Sequence, residues 1–257
     1  MLINRTKEKL LAGEMVVGTH ISLPSPAIAE ICGLIGFDFI IIDMEHVLFN
    51  PETFVDIVRA AENSGVTPIF RPTKNDPDLM LPYLDAGAMG VWVPNVTSAR
   101  EARQVVEAVK YGPLGNRGIT SERPALYRTG PPVHQLLQEM NSKTLVSVSI
   151  ESQTGIDNVE EICAVEGVDV VGMGPSDLAQ TLGYPGRPDH PEVQRTIASL
   201  ITRIRDSGRV AGIIARDAVL AKSYYELGAR YMWTSVSSML VEVGQGYLHS
   251  MKGLQSR

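Results

Sequence analysis

Apolar residues in this chain fall in short recurring runs, most of them continuous. Phe37 to Ile42, Thr67 to Phe70, Leu145 to Ile150 and Val168 to Met173 are the clearest, and they are rich in β-branched side chains. Runs of this kind suit strands covered on both faces, as in a parallel sheet. Longer segments with helical spacing separate them. Gly36, Gly65, Gly87, Gly167, Gly208 and Gly228 each follow such a segment and precede an apolar run. Glycine just past a helix is the common stop signal, so here it marks the helix-to-strand turn. The pattern predicts strands over 15–20, 37–43, 66–71, 89–94, 144–150, 168–173, 209–214 and 229–234, and a last helix over about 236–252.

Eight strand–helix units in 257 residues predict an α/β protein with one domain, 1–257, closed as a (β/α)8 TIM barrel; that fold typically takes ~250 residues. An open doubly wound sheet has the same period, because periodicity does not show closure. The first residues, MLINRTKEKLLAGE, form a polar amphipathic helix without the apolar stretch of a signal peptide. No apolar run approaches the ~20 residues that a membrane span needs.

Composition narrows the function further. A net charge of -6 leaves no basic footprint for nucleic acid. Cys32 and Cys163 are the only cysteines and lack metal-ligand spacing. They fit a reducing compartment, so a cytoplasmic protein is expected.

The chemistry gathers where strands end, which is where parallel α/β folds carry their sites. Glu151 follows the run 144–150, and Asp177 follows Gly172-Met-Gly-Pro-Ser176. Two carboxylates with no basic residue beside either suggest a divalent cation, although both could simply cap the next helices. Backbone amides near Ser176, after Gly174-Pro175, could hold a small carboxylate beside it. Asp43-Met-Glu-His46 ends the second strand, and His46 there is a candidate general base. Its alternative is a surface histidine beside a braced loop. Arg71 ends the third strand and could fork onto a carboxylate or enolate oxygen, or form a structural pair with an acid such as Glu45. The long connection from Tyr111 to Pro132 carries Arg117, Arg123 and Arg128, which suits either an acidic ligand or solvent. His134, His190 and His249 read as surface residues. No lysine stands at a strand end in a clearly buried context, which disfavours a Schiff-base mechanism.

Asp43-Met-Glu-His46, Arg71-Pro72, Glu151 and Gly174-Pro-Ser-Asp177-Leu, in this order, resemble the HpcH/HpaI aldolase family. Tyr111-Gly-Pro-Leu-Gly-Asn-Arg-Gly118, Val165-Glu-Gly-Val-Asp169 and His190-Pro-Glu-Val193 extend the likeness over about Gly13 to Gly244. The resemblance implies a barrel of the phosphoenolpyruvate/pyruvate superfamily and a class II pyruvate aldolase using magnesium, manganese or cobalt. Its substrates would be pyruvate plus an aldehyde, or a 4-hydroxy-2-oxo acid. It further implies Glu151 and Asp177 as metal ligands and Arg71 over the pyruvyl oxygen. The Ser176 amide would hold the pyruvate carboxylate, His46 would serve in acid–base chemistry with Asp85 as its partner, and Asp43 would lie near the aldehyde. A homo-oligomer, a trimer of dimers exchanging the last helix, is also implied.

Two departures from the family pattern bear on substrate. Ser149 stands where many members have glutamine, and Glu122-Arg-Pro-Ala-Leu-Tyr127 replaces an Ala-Arg-Ala-Ser run. A CoA-thioester lyase on the same platform, or a catalytically silent pyruvate- or oxalate-binding protein, therefore stays open. Asp85 poses a separate question. The helix that ends at it runs away from the functional end of the barrel, and nine residues span ~14 Å. Asp85 would then meet His46 only across a subunit interface.

Overall fold

The computed structural model describes residues 3–254. Eight parallel strands close into a barrel in sequence order, each bonded to its neighbours and β8 to β1. They are β1 Val16–Ile21, β2 Phe39–Asp43, β3 Thr67–Arg71, β4 Gly90–Val93, β5 Leu145–Ile150, β6 Val170–Met173, β7 Val210–Ile214 and β8 Tyr231–Ser235. Every expected strand is present, displaced by no more than two residues at either end. Closure eliminates the open-sheet alternative.

The outer layer begins with α1 Arg5–Leu11, α2 Pro26–Ile35, α3 Pro51–Ser64, α4 Pro77–Asp85 and α5 Ala99–Val109. After the long connection come α6 Val133–Lys143, α7 Gln153–Asp157, α8 Val159–Cys163 and α9 Pro175–Thr181. The chain finishes with α10 Pro191–Asp206, α11 Ala218–Leu227 and α12 Val236–Leu254. The single helix expected between β5 and β6 is two short ones. The break falls at Asn158, whose side-chain amide donates to the Thr97 carbonyl at 2.9 Å. Among the described residues no helix is long and apolar enough to cross a membrane.

Side chains alternate along each strand, so every second residue faces the barrel axis. The inward set includes Phe39, Ile41, Ile69, Trp92, Leu145, Val170, Tyr231 and Trp233, which form one cluster with Leu10 of α1. Phe39 stacks on Tyr231 at 4.0 Å, and Trp92 meets Trp233 edge-on at 4.5 Å. The indole of Trp92 fits because Gly172 stands opposite it. A Cβ there would lie 2.0 Å from its ring.

The N-terminal helix closes the base of the barrel. Asn4 donates to the Met89 and Lys143 carbonyls at 3.0 and 2.8 Å, and Thr6 donates to the Asp38 carbonyl at 2.9 Å. Lys7 reaches Asp169 at 2.8 Å. With its base plugged and its axis packed, the barrel leaves only the carboxyl ends of its strands open for chemistry.

Candidate active site

Continuing the inward alternation to the strand ends brings Asp43, Arg71 and Ser149 to the mouth. Asp43 and Arg71 are opposed in the β2–β3 register. The guanidinium grips the carboxylate through Nε at 2.9 Å and Nη2 at 2.8 Å, and its Nη1 lies 3.1 Å from Glu45. Arginine carries five N–H groups, so at least two remain for a ligand. Asp43 also accepts the backbone N–H groups of Glu45 and His46 at 3.1 and 3.2 Å. Burial pushes its carboxyl up, but the hydrogen bonds and charge of Arg71 outweigh that and hold it below the usual range. Asp43 thus holds Arg71 and the turn that follows β2.

Glu151 and Asp177 leave neighbouring strands. In the β5–β6 register Ile150 opposes Met173, and the Thr181 hydroxyl of α9 donates to the Glu151 carbonyl at 2.9 Å. Gly174 caps α9, and a Cβ on it would lie 2.6 Å from Asp177 Oδ2. Glycine here leaves that carboxylate its space. Burial, followed by repulsion from Asp177 and Glu45, raises the Glu151 carboxyl; a hydrogen bond to Ser149 and the charge of Arg71 act against this. Burial also raises Glu45, against the pull of Arg71 and His46. The mouth therefore holds four carboxylates for one guanidinium.

That surplus fits a hard divalent cation, which prefers carboxylate oxygens and keeps positions for water and substrate. Among the described residues no group of three or more His, Cys, Asp or Glu side chains is arranged to hold a metal. Glu151 and Asp177 would supply two protein ligands, leaving the remaining positions to others.

His46 is two-thirds exposed, with its Nε2 3.6 Å from Glu45. It does not meet Asp85 within the protomer. Asp85 closes α4 and accepts a hydrogen bond from Arg117 Nη2 at 2.7 Å, with that guanidinium buried over the Tyr111 ring. The long connection likewise misses the mouth of its own barrel. Arg123 pairs with Glu62 at the end of α3, and Arg128 is exposed. The acids that these arginines meet are the protein's own. His134 and His249 are exposed as expected, but His190 stacks on Tyr184 at 3.6 Å and caps α10 through Nδ1.

One residue at the mouth was not singled out from the sequence. His20 follows Gly18 on the inward face of β1, beside Trp233. Burial drives its imidazole down to about 3, helped by Arg71 and His46 and opposed by Asp43, so it is neutral near pH 7. The signal was available in the alternation Val16, Gly18, His20, but a lone histidine in a strand carries no motif.

A packed eight-stranded barrel with acidic side chains and an anchored arginine at the carboxyl ends of its strands has the layout of a (β/α)8 barrel enzyme. The HpcH/HpaI aldolase/citrate lyase family matches residues 17–240, and the chain belongs to it. The 2-keto-3-deoxy-L-rhamnonate aldolase of Escherichia coli K12 is 37% identical over 243 residues, covering 93% of this chain and 90% of its own. A hydroxypyruvate/pyruvate aldolase of Pseudomonas aeruginosa is 36% identical over 239 residues, with 93% and 89% covered. The crystal structure of an HpcH/HpaI aldolase from Desulfitobacterium hafniense DCB-2 superposes with a TM-score of 0.89 at 31% identity, covering 96% of each chain. These relatives support an aldolase of this family, and so a lyase.

Proposed function

We propose that the protein is a class II aldolase that makes or cleaves 4-hydroxy-2-oxo acids through the enolate of pyruvate. The observation that carries this reading is the surplus of carboxylates, Asp43, Glu45, Glu151 and Asp177, over the single guanidinium of Arg71 at the mouth. A magnesium, manganese or cobalt ion held by Glu151 and Asp177 would supply Lewis-acid polarisation of the 2-oxo acid. Arg71, locked by Asp43, directs positive charge at the oxygen on which the enolate charge develops, without reorganising during the reaction. The Ser176 N–H, just after Gly174-Pro175, donates to the substrate carboxylate.

In the cleavage direction a base takes the proton of the 4-hydroxyl, the bond between C3 and C4 breaks, and its electron pair becomes the enolate. Protonation at C3 then gives pyruvate. His46, beside Glu45 and open to water, is the group assigned to move these protons.

The decisive experiment follows pyruvate C3 deuterium exchange by NMR. Exchange is expected to require a divalent ion, to stop with EDTA, to return on adding metal, and to fall more than tenfold in Arg71→Lys, about 1.4 kcal/mol or more. Full exchange after exhaustive chelation would overturn the reading.

Assembly belongs to the same proposal. Helix α12 exposes Leu240, Val241, Val243, Tyr247 and Leu248, an apolar surface that supports self-association, here assigned to a trimer of dimers. In such an assembly Asp85 of one subunit would serve His46 of another. Mixed His46→Ala and Asp85→Ala subunits should then recover activity that neither has alone; subunit exchange without recovery would exclude the shared site.

A further inference from the structure

The wall of the mouth opposite Glu151 carries two polar edges that the protein leaves unsatisfied. In the closed strand order β1 stands across the barrel from β5. His20 Nε2 on β1 and Trp233 Nε1 on β8 are both buried, and neither has a hydrogen-bond partner. The strands are neighbours, with Gly18 opposite Trp233 and His20 opposite Ser235. The two rings lie 5.8 Å apart, tilted by 39°. Buried polar atoms are ordinarily paired, so two unpaired nitrogens on neighbouring rings mark a place where something else completes them.

Their chemistry specifies the missing group. An indole N–H can only donate, whereas a neutral imidazole offers one N–H and one lone pair. Arg71 and His46 help keep His20 neutral, and no protein hydrogen bond to Nε2 fixes its tautomer. A hydroxyl can accept from the indole and donate to the imidazole at once. A carbonyl or a methyl group cannot do both. His20 as a whole is half-buried, at the carboxyl end of β1 where the mouth opens.

We propose that His20 and Trp233 form a subsite that reads a hydroxyl group on the aldehyde half of the substrate. The inference rests on the pyruvate aldolase reading. With the pyruvyl half against Glu151 and Asp177 on β5 and β6, the other half extends across the mouth toward β1 and β8. A site built to bond a hydroxyl discriminates against the analogue lacking it, because its polar groups are then left unpaired.

The test compares glycolaldehyde with acetaldehyde as acceptors for pyruvate in the metal-loaded protein, using wild type, H20F, H20Q and W233F. Wild type should favour glycolaldehyde in kcat/KM. H20F should reduce that preference about tenfold or more and W233F should reduce it in the same direction, while H20Q retains most of it. Pyruvate C3 exchange without aldehyde should stay within about twofold in all four proteins, which separates recognition from loss of fold; should H20F fail to fold, the ratio in W233F decides. An unchanged aldehyde ratio in the variants, as expected if water alone fills the place, overturns the subsite. Equal losses for both aldehydes also overturn it. A wild type that exchanges no pyruvate protons defeats the pyruvate reading itself, whereas exchange with an unaltered ratio defeats only the subsite.

Discussion

The two ends of the barrel treat charge in opposite ways. At the base, charges are matched within the protein. Lys7 meets Asp169 at 2.8 Å and Lys9 meets Asp38 at 2.6 Å. Lys110 donates to the Asn141 and Thr144 carbonyls, each at 2.6 Å. At the mouth, Asp43, Glu45, Glu151 and Asp177 share one guanidinium, and two carboxyls are raised by their burial. Matched buried charge needs nothing from outside, but unmatched charge costs stability until a ligand completes it. The same residue types therefore mean structure at one end and chemistry at the other.

That contrast breaks most sharply at the metal-binding carboxylates. Glu151→Gln and Asp177→Asn should each lower turnover by about 10²–10³-fold, measured as release of pyruvate from 4-hydroxy-2-oxo acids. Metal-free stability should move the other way in Glu151→Gln. The folded carboxyl of Glu151 lies above its ordinary value, so its ionised form is disfavoured by folding at neutral pH. Removing the charge should stabilise the metal-free protein, read as a higher melting temperature in EDTA. A lower melting temperature would mean that Glu151 is already satisfied by the protein.

The mirror experiment is at the base. Asp169→Asn leaves Lys7 without its anion and weakens the carboxylate bond to the Val146 N–H, at 2.9 Å in the native protein. A loss of about 3 kcal/mol is expected in urea unfolding, with turnover per folded molecule unchanged. Loss of turnover without loss of stability would erase the distinction between the two ends.

The smallest effect sharpens the same comparison. Burial, aided by Lys7, lowers Lys110 from its ordinary 10.5 to about 7, against the pull of Asp169. Between those values the unfolded chain holds a proton that the folded protein has released, so this group's contribution makes stability rise with pH. The urea midpoint of wild type should gain on that of Lys110→Met between about pH 7 and pH 9. Parallel pH profiles would show that Lys110 does not titrate there.

Much of this was legible along the chain because it depends on local rules. Continuous apolar runs fit only strands covered on both faces, and glycine stops separated them from helices such as α3. Strand ends then exposed Asp43, Arg71, Glu151 and Asp177 as the polar residues that follow apolar runs. The loop arginines were less legible. Their partners, Asp85 and Glu62, sit at the far ends of helices, and a basic composition alone could not distinguish a ligand from a protein carboxylate. His20 was silent for the opposite reason, since it belongs to no motif.

The amino-acid sequence by itself determined the eight strand–helix units and the type of residue at each strand end, because these depend on periodicity and turn chemistry over a few residues. Only the tertiary structure decided which of those residues face one another. Closure puts β1 beside β8 and across from β5, and so sets His20 and Trp233 opposite Glu151. It also gives Asp43 to Arg71 as an orienting partner and Asp85 to Arg117. Such pairings depend on distance and burial between segments far apart in the chain, and no local pattern encodes either one.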